Sequence, residues 1–318
     1  MAFQFELDEH PQKGTRRIAR EQVNRILSRL SSDQGDAATI HESRKSLKRL
    51  KALFKLVRGG LDKKSYRREY DTVRDVARSL SGTRDLDVLP VSLAELRVVD
   101  EKINEATAGK VLSAIEKTKK SQAGEYDRAA IVAAALRELE AAKERYADLK
   151  LNGDDFTILA NGAAKGLSEL REQHQLALST GHDEDYHDWR KSAQLHWRHL
   201  RLLSPAWPQM IAARLVATKA LADVLGHDHD LSVLARFVEA MPISQLRTAE
   251  RRTLLQAACD RQQGLRIEAR AYAGLLVHDR PDEFAARLGA YREARIAAEK
   301  LAAPLFRIFV PQDDTERD

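Results

Sequence analysis

Two short motifs occur twice in this chain, in the same order and almost the same distance apart. His41-x-x-Arg44-Lys45 reappears as His187-x-x-Arg190-Lys191, 146 residues later. Asp85-Leu86-x-Val88-Leu89, within LSGTRDLDVL, reappears as Asp230-Leu231-x-Val233-Leu234, within LGHDHDLSVL, 145 residues later. Two patterns that recur in order at nearly constant offset mark an internal duplication. The duplication predicts two homologous halves, 12–151 and 155–303, meeting near Leu151–Asp155.

The halves read as helical. Apolar residues recur with helical rather than alternating spacing almost everywhere. Only 15 Gly and 8 Pro interrupt 318 residues, and 43% of the chain is hydrophobic, so a real core can be buried. The pattern predicts helices over 12–31, 37–58, 63–81, 86–120 and 125–151, then 155–178, 184–203, 206–226, 229–240, 244–278 and 281–303. The breakers between them are Gly59-Gly60, Ser81-Gly82, Asn152-Gly153, Gly181 and Pro242. Short connections favour antiparallel neighbours, so each half is expected to form one helical bundle of an all-α protein. Residues 1–11 are expected to be flexible, and 304–318, ending PQDDTERD, to form a polar tail.

Positive charge is concentrated on the repeated element. From His41 to Arg58 there are seven Lys or Arg and one acid, a balance of +6, while the whole chain carries +5. At about 100° of turn per residue, His41, Arg44, Lys45, Lys48, Ala52 and Lys55 share a face. Leu47, Leu50, Phe54 and Val57 lie opposite, giving an apolar stripe and a cationic one. The second copy aligns His187, Arg190, Lys191, Gln194, Arg198 and Arg201 against Trp189, Ala193, His196, Leu200 and Leu203. Arg67, Arg74 and Arg78 form a further row on the next helix. Stacked like charges repel by a few tenths of a kcal/mol per pair, about as much as opposite charges at that spacing attract. An ordinary solvated face mixes in acids, as Glu138, Glu140, Lys143, Glu144 and Arg145 do. A duplicated row led by a histidine therefore points to an anion site, and guanidinium and ammonium groups together suit phosphate oxygens.

The chain carries no Walker loop and no glycine-rich strand–helix turn, which argues against a nucleotide cradle. Rows of cations suggest a long polyanion: duplex DNA, RNA or inorganic polyphosphate. The single cysteine, Cys259, excludes an intramolecular disulfide and a multi-cysteine metal site, and is expected to be buried. No apolar run approaches the ~20 residues a bilayer span needs, so no membrane association is expected.

The paired His-x-x-Arg-Lys helices, each followed by an Asp-Leu-x-Val-Leu element, resemble the conserved histidine α-helical domain, CHAD. The resemblance covers Thr15 to about Ala303, nearly the whole chain, without the CYTH domain to which some members are fused. It implies two four-helix bundles related by pseudo-twofold symmetry around a basic central surface, and a cytoplasmic protein that binds inorganic polyphosphate on polyphosphate granules. Other granule proteins are implied as further partners. No catalysis and no cofactor are implied. Carried over by position, the binding residues are His41, Arg44, Lys45, Lys48, Arg49, Lys51, Lys55 and Arg84 in the first half, and His187, Arg190, Lys191, Arg198 and His229 in the second. The rows above add Arg67, Arg74, Arg78 and Arg201, and Lys219 completes the candidate set. Gln194 stands where the pattern usually has Lys, so the second half is expected to bind more weakly.

Two other readings stand beside this one. Nucleic-acid binding is the second, although no reading helix is recognisable and Trp189 and Trp207 look like core rather than stacking platforms. The third is a metal-dependent phosphohydrolase using His227-Asp228-His229-Asp230 with His187, His196 and His199. Against it, the resemblance places that segment at a helix start, with Asp85 and Asp230 as helix caps, and the spacing turns His196 and His199 inward.

Overall fold

A computed structural model describes residues 3–32, 36–81, 84–123, 127–153 and 155–301; for residues 37, 84, 85 and 123 only the backbone is described. The described chain forms eleven α-helices and, within those residues, no strand. The first six are α1 (Pro11–Ser32), α2 (Ala37–Leu56), α3 (Lys63–Ser79), α4 (Arg84–Val99), α5 (Glu105–Ala123) and α6 (Arg128–Ala147). The remaining five are α7 (Thr157–Thr180), α8 (Asp183–Leu203), α9 (Pro208–Ala240), α10 (Thr248–Gly274) and α11 (Pro281–Leu301).

Local sequence explains several of the helix ends. Asp36 caps α2 by accepting from the Thr39 amide at 2.6 Å, and Asp62 caps α3 by accepting from the Lys64 and Ser65 amides at 3.0 Å. Asp127 does the same for α6 through the Ala130 amide. Helix α7 ends at Gly181, which adopts φ 71°, a left-handed conformation that glycine takes without a Cβ clash.

Two helix boundaries differ from the sequence expectation. The predicted helix 86–120 is two, α4 and α5, split by residues 100–104. There Asp100 accepts from the Lys102 amide and Asn104 from the Thr107 amide. These side chains offer the backbone a local alternative to the helix. Conversely, the predicted helices 206–226 and 229–240 are one 33-residue helix, α9. Gly226 does not break it, because α8, α10 and α4 pack along its length and outweigh the roughly 1 kcal/mol penalty of a helical glycine. Asp230 therefore lies mid-helix and not at a helix start. Asp85 and the tail 304–318 lie outside the described side chains and residues.

Helices α1, α2, α3 and α6 pack on one another, as do α7, α8, α9, α10 and α11, with α11 resting on α7. The α4 helix leans across onto α9 and α10, and Lys110 of α5 pairs with Glu250 of α10 at 2.7 Å. One continuous hydrophobic core runs through the molecule. The apolar stripe of α2 lies in it, with Leu47, Leu50, Leu53, Phe54, Leu56 and Val57 all fully buried. Each such side chain contributes roughly 1.5–3 kcal/mol on leaving water. The charges that enter the core are paired: Glu69, fully buried on α3, is held by Arg145 of α6 at 2.9 Å and by Arg68 at 2.6 Å.

The N-terminal segment is packed rather than flexible from residue 3 onward. Phe3 and Phe5 are buried, and the Phe5 amide donates to the Leu202 carbonyl at 2.9 Å. Gly14 leaves room for the Phe5 ring, which would lie 2.4 Å from a Cβ at that position. Two aromatic side chains within five residues supply the apolar anchor that polarity averaged over the segment conceals. Cys259, expected inside, is exposed on α10.

The halves also meet where α2 crosses α7 and α8. Gly162 of α7 makes this approach possible, since a Cβ there would stand 1.8 Å from the Leu56 carbonyl oxygen. Beside it, His199 Nε2 of α8 lies 3.1 Å from the Ala52 carbonyl oxygen of α2, a geometry in which Nε2 donates. Nearby, the Asn152 amide donates to the Gly60 carbonyl and the Leu151 amide to Gln12 Oε1, tying the connection between halves to the first half.

Candidate anion-binding groove

The crossing of α2 and α8 leaves a groove of about 430 Å3. Both helices bury their apolar faces, so the cationic face of each is left to line the cleft between them. From α2 come Arg44, Lys48, Lys51 and Lys55. From α8 come His187, Arg190, Lys191 and Arg198, with His229 and Asp230 from α9. Gln194 of α8, Tyr70 of α3 and Glu169 of α7 complete the polar lining. Seven cations thus face two carboxylates.

That imbalance shows in the ionisation of the groove. Lys51 is held below its usual ammonium range, first by burial and then by Lys55, Arg74, Lys191 and Arg198. His187 and His229 stack with ring centroids 3.9 Å apart. Burial, then Lys191 and Arg190, push His187 down to about 4, against the opposing pull of Glu184 and Asp188. Burial, then His187, Arg190, Arg236 and Lys191, push His229 down to about 3. Both rings are neutral in the unliganded groove at neutral pH. An anion lying against them favours the imidazolium.

Several cations are oriented by the protein itself. Arg44 donates to the Ser81 carbonyl at 2.9 Å. Lys55 meets both oxygens of Glu169, at 3.0 and 3.1 Å. Arg198 donates back to the Gln194 carbonyl at 3.0 Å. Lys51 lies over the Tyr70 ring, 5.7 Å from its centroid. One pairing is common to both repeat copies. Lys45 is 3.1 Å from Glu42 and Lys191 is 2.7 Å from Asp188, each an acid three residues before its lysine.

The other sequence candidates do not line this cleft. Lys45 and His41 lie on α2 outside it, and Arg49 packs toward the Phe3 ring. Arg67 and Arg78 are exposed on α3. Arg74 is within electrostatic reach of Lys51, but its guanidinium pairs with Asp71 at 2.5 Å and Asp75 at 2.9 Å. The arginine row of α3 therefore does have acids between its members. Arg201 lies over the Trp197 ring, and Lys219 pairs with Asp223 at 2.5 Å. The side chain of Arg84 lies outside the described residues.

The segment His227 to Asp230 separates around α9. His227 faces Glu95 at 3.4 Å, Asp228 is buried against Arg266 at 2.8 Å, and only His229 and Asp230 reach the groove. Among the described residues, no group of three His, Cys, Asp or Glu side chains is placed to hold a metal ion. His196 and His199 are fully buried, His196 against the Phe284 ring. Trp189 is core, while Trp207 is partly buried and packs edge-on against Tyr291.

Sequence reasoning missed Tyr70 and Glu169. Neither belongs to the repeated motif, and the partner that helical spacing offers the acid on α7 is Lys165, four residues before it. Only the crossing of α7 with α2 brings it to Lys55.

A family model described as CHAD domain matches residues 17–239. Among solved structures, PptA from Streptomyces chartreusis is similar over 82% of this chain and 96% of its own, at 15% identity and a TM-score of 0.56. At that identity the likeness speaks for the fold alone. No curated protein matches the sequence.

Proposed function

This chain belongs to the CHAD family, and from that premise we propose that it binds inorganic polyphosphate in the groove between α2 and α8, without catalysing a reaction on it. The observation that carries the reading is the convergence of seven cations, from both repeat copies, on one cleft with two carboxylates. Crowded like charges destabilise the empty groove, and each phosphate that enters relieves them. An internal polyphosphate unit carries about one charge and offers oxygens on every side, so a chain can follow the row Lys48–Lys51–Lys55 while meeting Arg190, Lys191 and Arg198 opposite. Association of the family with polyphosphate binding supports the choice of anion. In this reading the two halves are related by a pseudo-twofold axis through the groove, and binding targets the protein to polyphosphate granules in the cytoplasm. Among the described residues no helix is long and apolar enough to cross a membrane.

The deciding experiment compares long-chain polyphosphate with duplex DNA at a single ionic strength, because counterion release makes both affinities salt-dependent. Tight binding of polyphosphate and weak binding of DNA is the expected result. Preference for DNA overturns the reading in favour of nucleic-acid binding. Release of orthophosphate from polyphosphate by the purified protein with Mg2+ or Mn2+, lost in His229→Ala, overturns the non-catalytic part.

A further inference from the structure

We propose that Glu169 is a resident competitor for the groove: its carboxylate occupies on Lys55 a position that an entering phosphate must take, and so sets a threshold that short anions fail to cross. The inference rests on the polyphosphate reading and adds to it a specificity residue.

The geometry has three parts. Glu169 comes from α7, while Lys55 comes from α2 in the other half, so the pair forms only in the folded molecule. Both carboxylate oxygens face the ammonium, at 3.0 and 3.1 Å, which satisfies Lys55 much as two phosphate oxygens do. And Glu169 lines the groove itself, beside the row of cations that a polyanion follows.

The pair is also built to be exchanged. Its side chains are 32% and 41% exposed, for Lys55 and Glu169 respectively. Ion pairs at that exposure contribute little to folding, about 0–1 kcal/mol. Contrast Glu69, which is fully buried between two arginines and serves the core. Releasing Glu169 therefore leaves the fold intact, whereas keeping it in place puts a negative charge in the path of the ligand.

Exchange of one anion for another on Lys55 brings little net gain. A ligand with few phosphates bears that exchange against few new contacts. A long chain bears it once, or threads the remaining cations without it, and gathers contacts along Lys48, Lys51, Lys191 and Arg198. Glu169 thus penalises short phosphates more than long ones.

The test uses Glu169→Gln, which keeps the shape and removes the charge. Its control is Glu172→Gln on the same helix, which removes an exposed charge bonded to Ser168 outside the groove. Tripolyphosphate and long-chain polyphosphate are titrated against wild type and both variants at one ionic strength. In E169Q, tripolyphosphate should bind about fivefold tighter, the affinity equivalent of an exposed ion pair. Long-chain polyphosphate should gain less, and E172Q should change neither by more than about twofold. Binding by E169Q no tighter than by E172Q overturns the proposal and makes Glu169 a positioning residue for Lys55. If neither wild type nor E169Q binds any polyphosphate, the polyphosphate reading falls and this proposal falls with it.

Discussion

Helices α2 and α8 carry the same motif, yet they furnish the groove differently. At the 146-residue shift, Lys48 of α2 meets Gln194 of α8, Lys51 meets Trp197, and Ala52 meets Arg198. Helix α2 sends three lysines into the cleft, one per turn. Helix α8 keeps Arg190, Lys191 and Arg198 in the cleft but places Gln194 between them and a buried Trp197 beside them, with Arg198 and Arg201 over its ring at 5.6 and 5.2 Å. The histidines differ as well. His187 stacks on His229 in the groove, whereas His41 lies outside the lining. Duplication preserved the entry to each basic helix and let the later turns diverge. One copy became a row of charge, while the other took over packing and the titratable pair.

The largest expected effect comes from breaking that asymmetry at its charged end. Lys48→Ala/Lys51→Ala should weaken polyphosphate binding about 100-fold or more, since each direct charge-assisted contact contributes roughly 1.5–3 kcal/mol. Arg190→Ala/Lys191→Ala should lose roughly tenfold less than that, because Asp188 already answers Lys191. Titrations at two salt concentrations check both, and the α2 variant should also show the shallower salt dependence. Equal losses would mean that the copies contribute alike and that Gln194 and Trp197 carry no consequence.

The seam between the halves should respond next. Gly162→Ala forces a methyl group to within 1.8 Å of the Leu56 carbonyl oxygen, against backbone that cannot rotate away. It should destabilise the protein by at least about 2 kcal/mol in denaturant unfolding, as overpacking does. Gly59→Ala, which meets nothing within 4 Å, should stay within about 0.5 kcal/mol of wild type.

A smaller effect should follow pH and belong to the second half. His187 and His229 have folded pKa values of about 4 and about 3, below the ordinary 6.5. Well above pH 6.5 both states are neutral and nothing is lost. As pH falls from 6.5 toward 4, the unfolded chain takes protons that the folded groove refuses, so stability declines. The thermal midpoint of the free protein should drop by a few degrees between pH 7 and pH 5, and His187→Gln/His229→Gln should reduce that drop, leaving the share of the likewise depressed His174, His196 and His199. With polyphosphate bound the decline should be smaller, because the anion favours the imidazolium, so affinity should rise over the same interval.

The smallest effect is expected at Arg67→Ala/Arg78→Ala. It removes two charges, as the α2 variant does, but from the exposed face of α3. A loss matching Lys48→Ala/Lys51→Ala would show that net charge rather than the groove carries binding.

How much of this could be read in advance depends on the range of each interaction. The repeat, the amphipathic faces of α2 and α8, and their cationic residues were visible in the sequence because helical spacing alone fixes which residues share a face. The caps at Asp36, Asp62 and Asp127 are equally local. Continuity of α9 was not visible, since nothing local joins the expected helices 206–226 and 229–240, and the helices packed along α9 hold them as one. Nor was the division of α4 from α5, where Asp100 and Asn104 compete with the helix for its own amides. Arg67 and Lys48 look alike on a helical wheel, yet one faces solvent and the other the cleft. What the sequence by itself determined is therefore the duplication, the helical class and which residues could form a cationic face. The tertiary structure alone decided which of those faces meet. The crossing of α2 with α7 and α8, through Gly162, His199 and Glu169, joins residues more than a hundred positions apart, and a local period carries no information about contacts of that range.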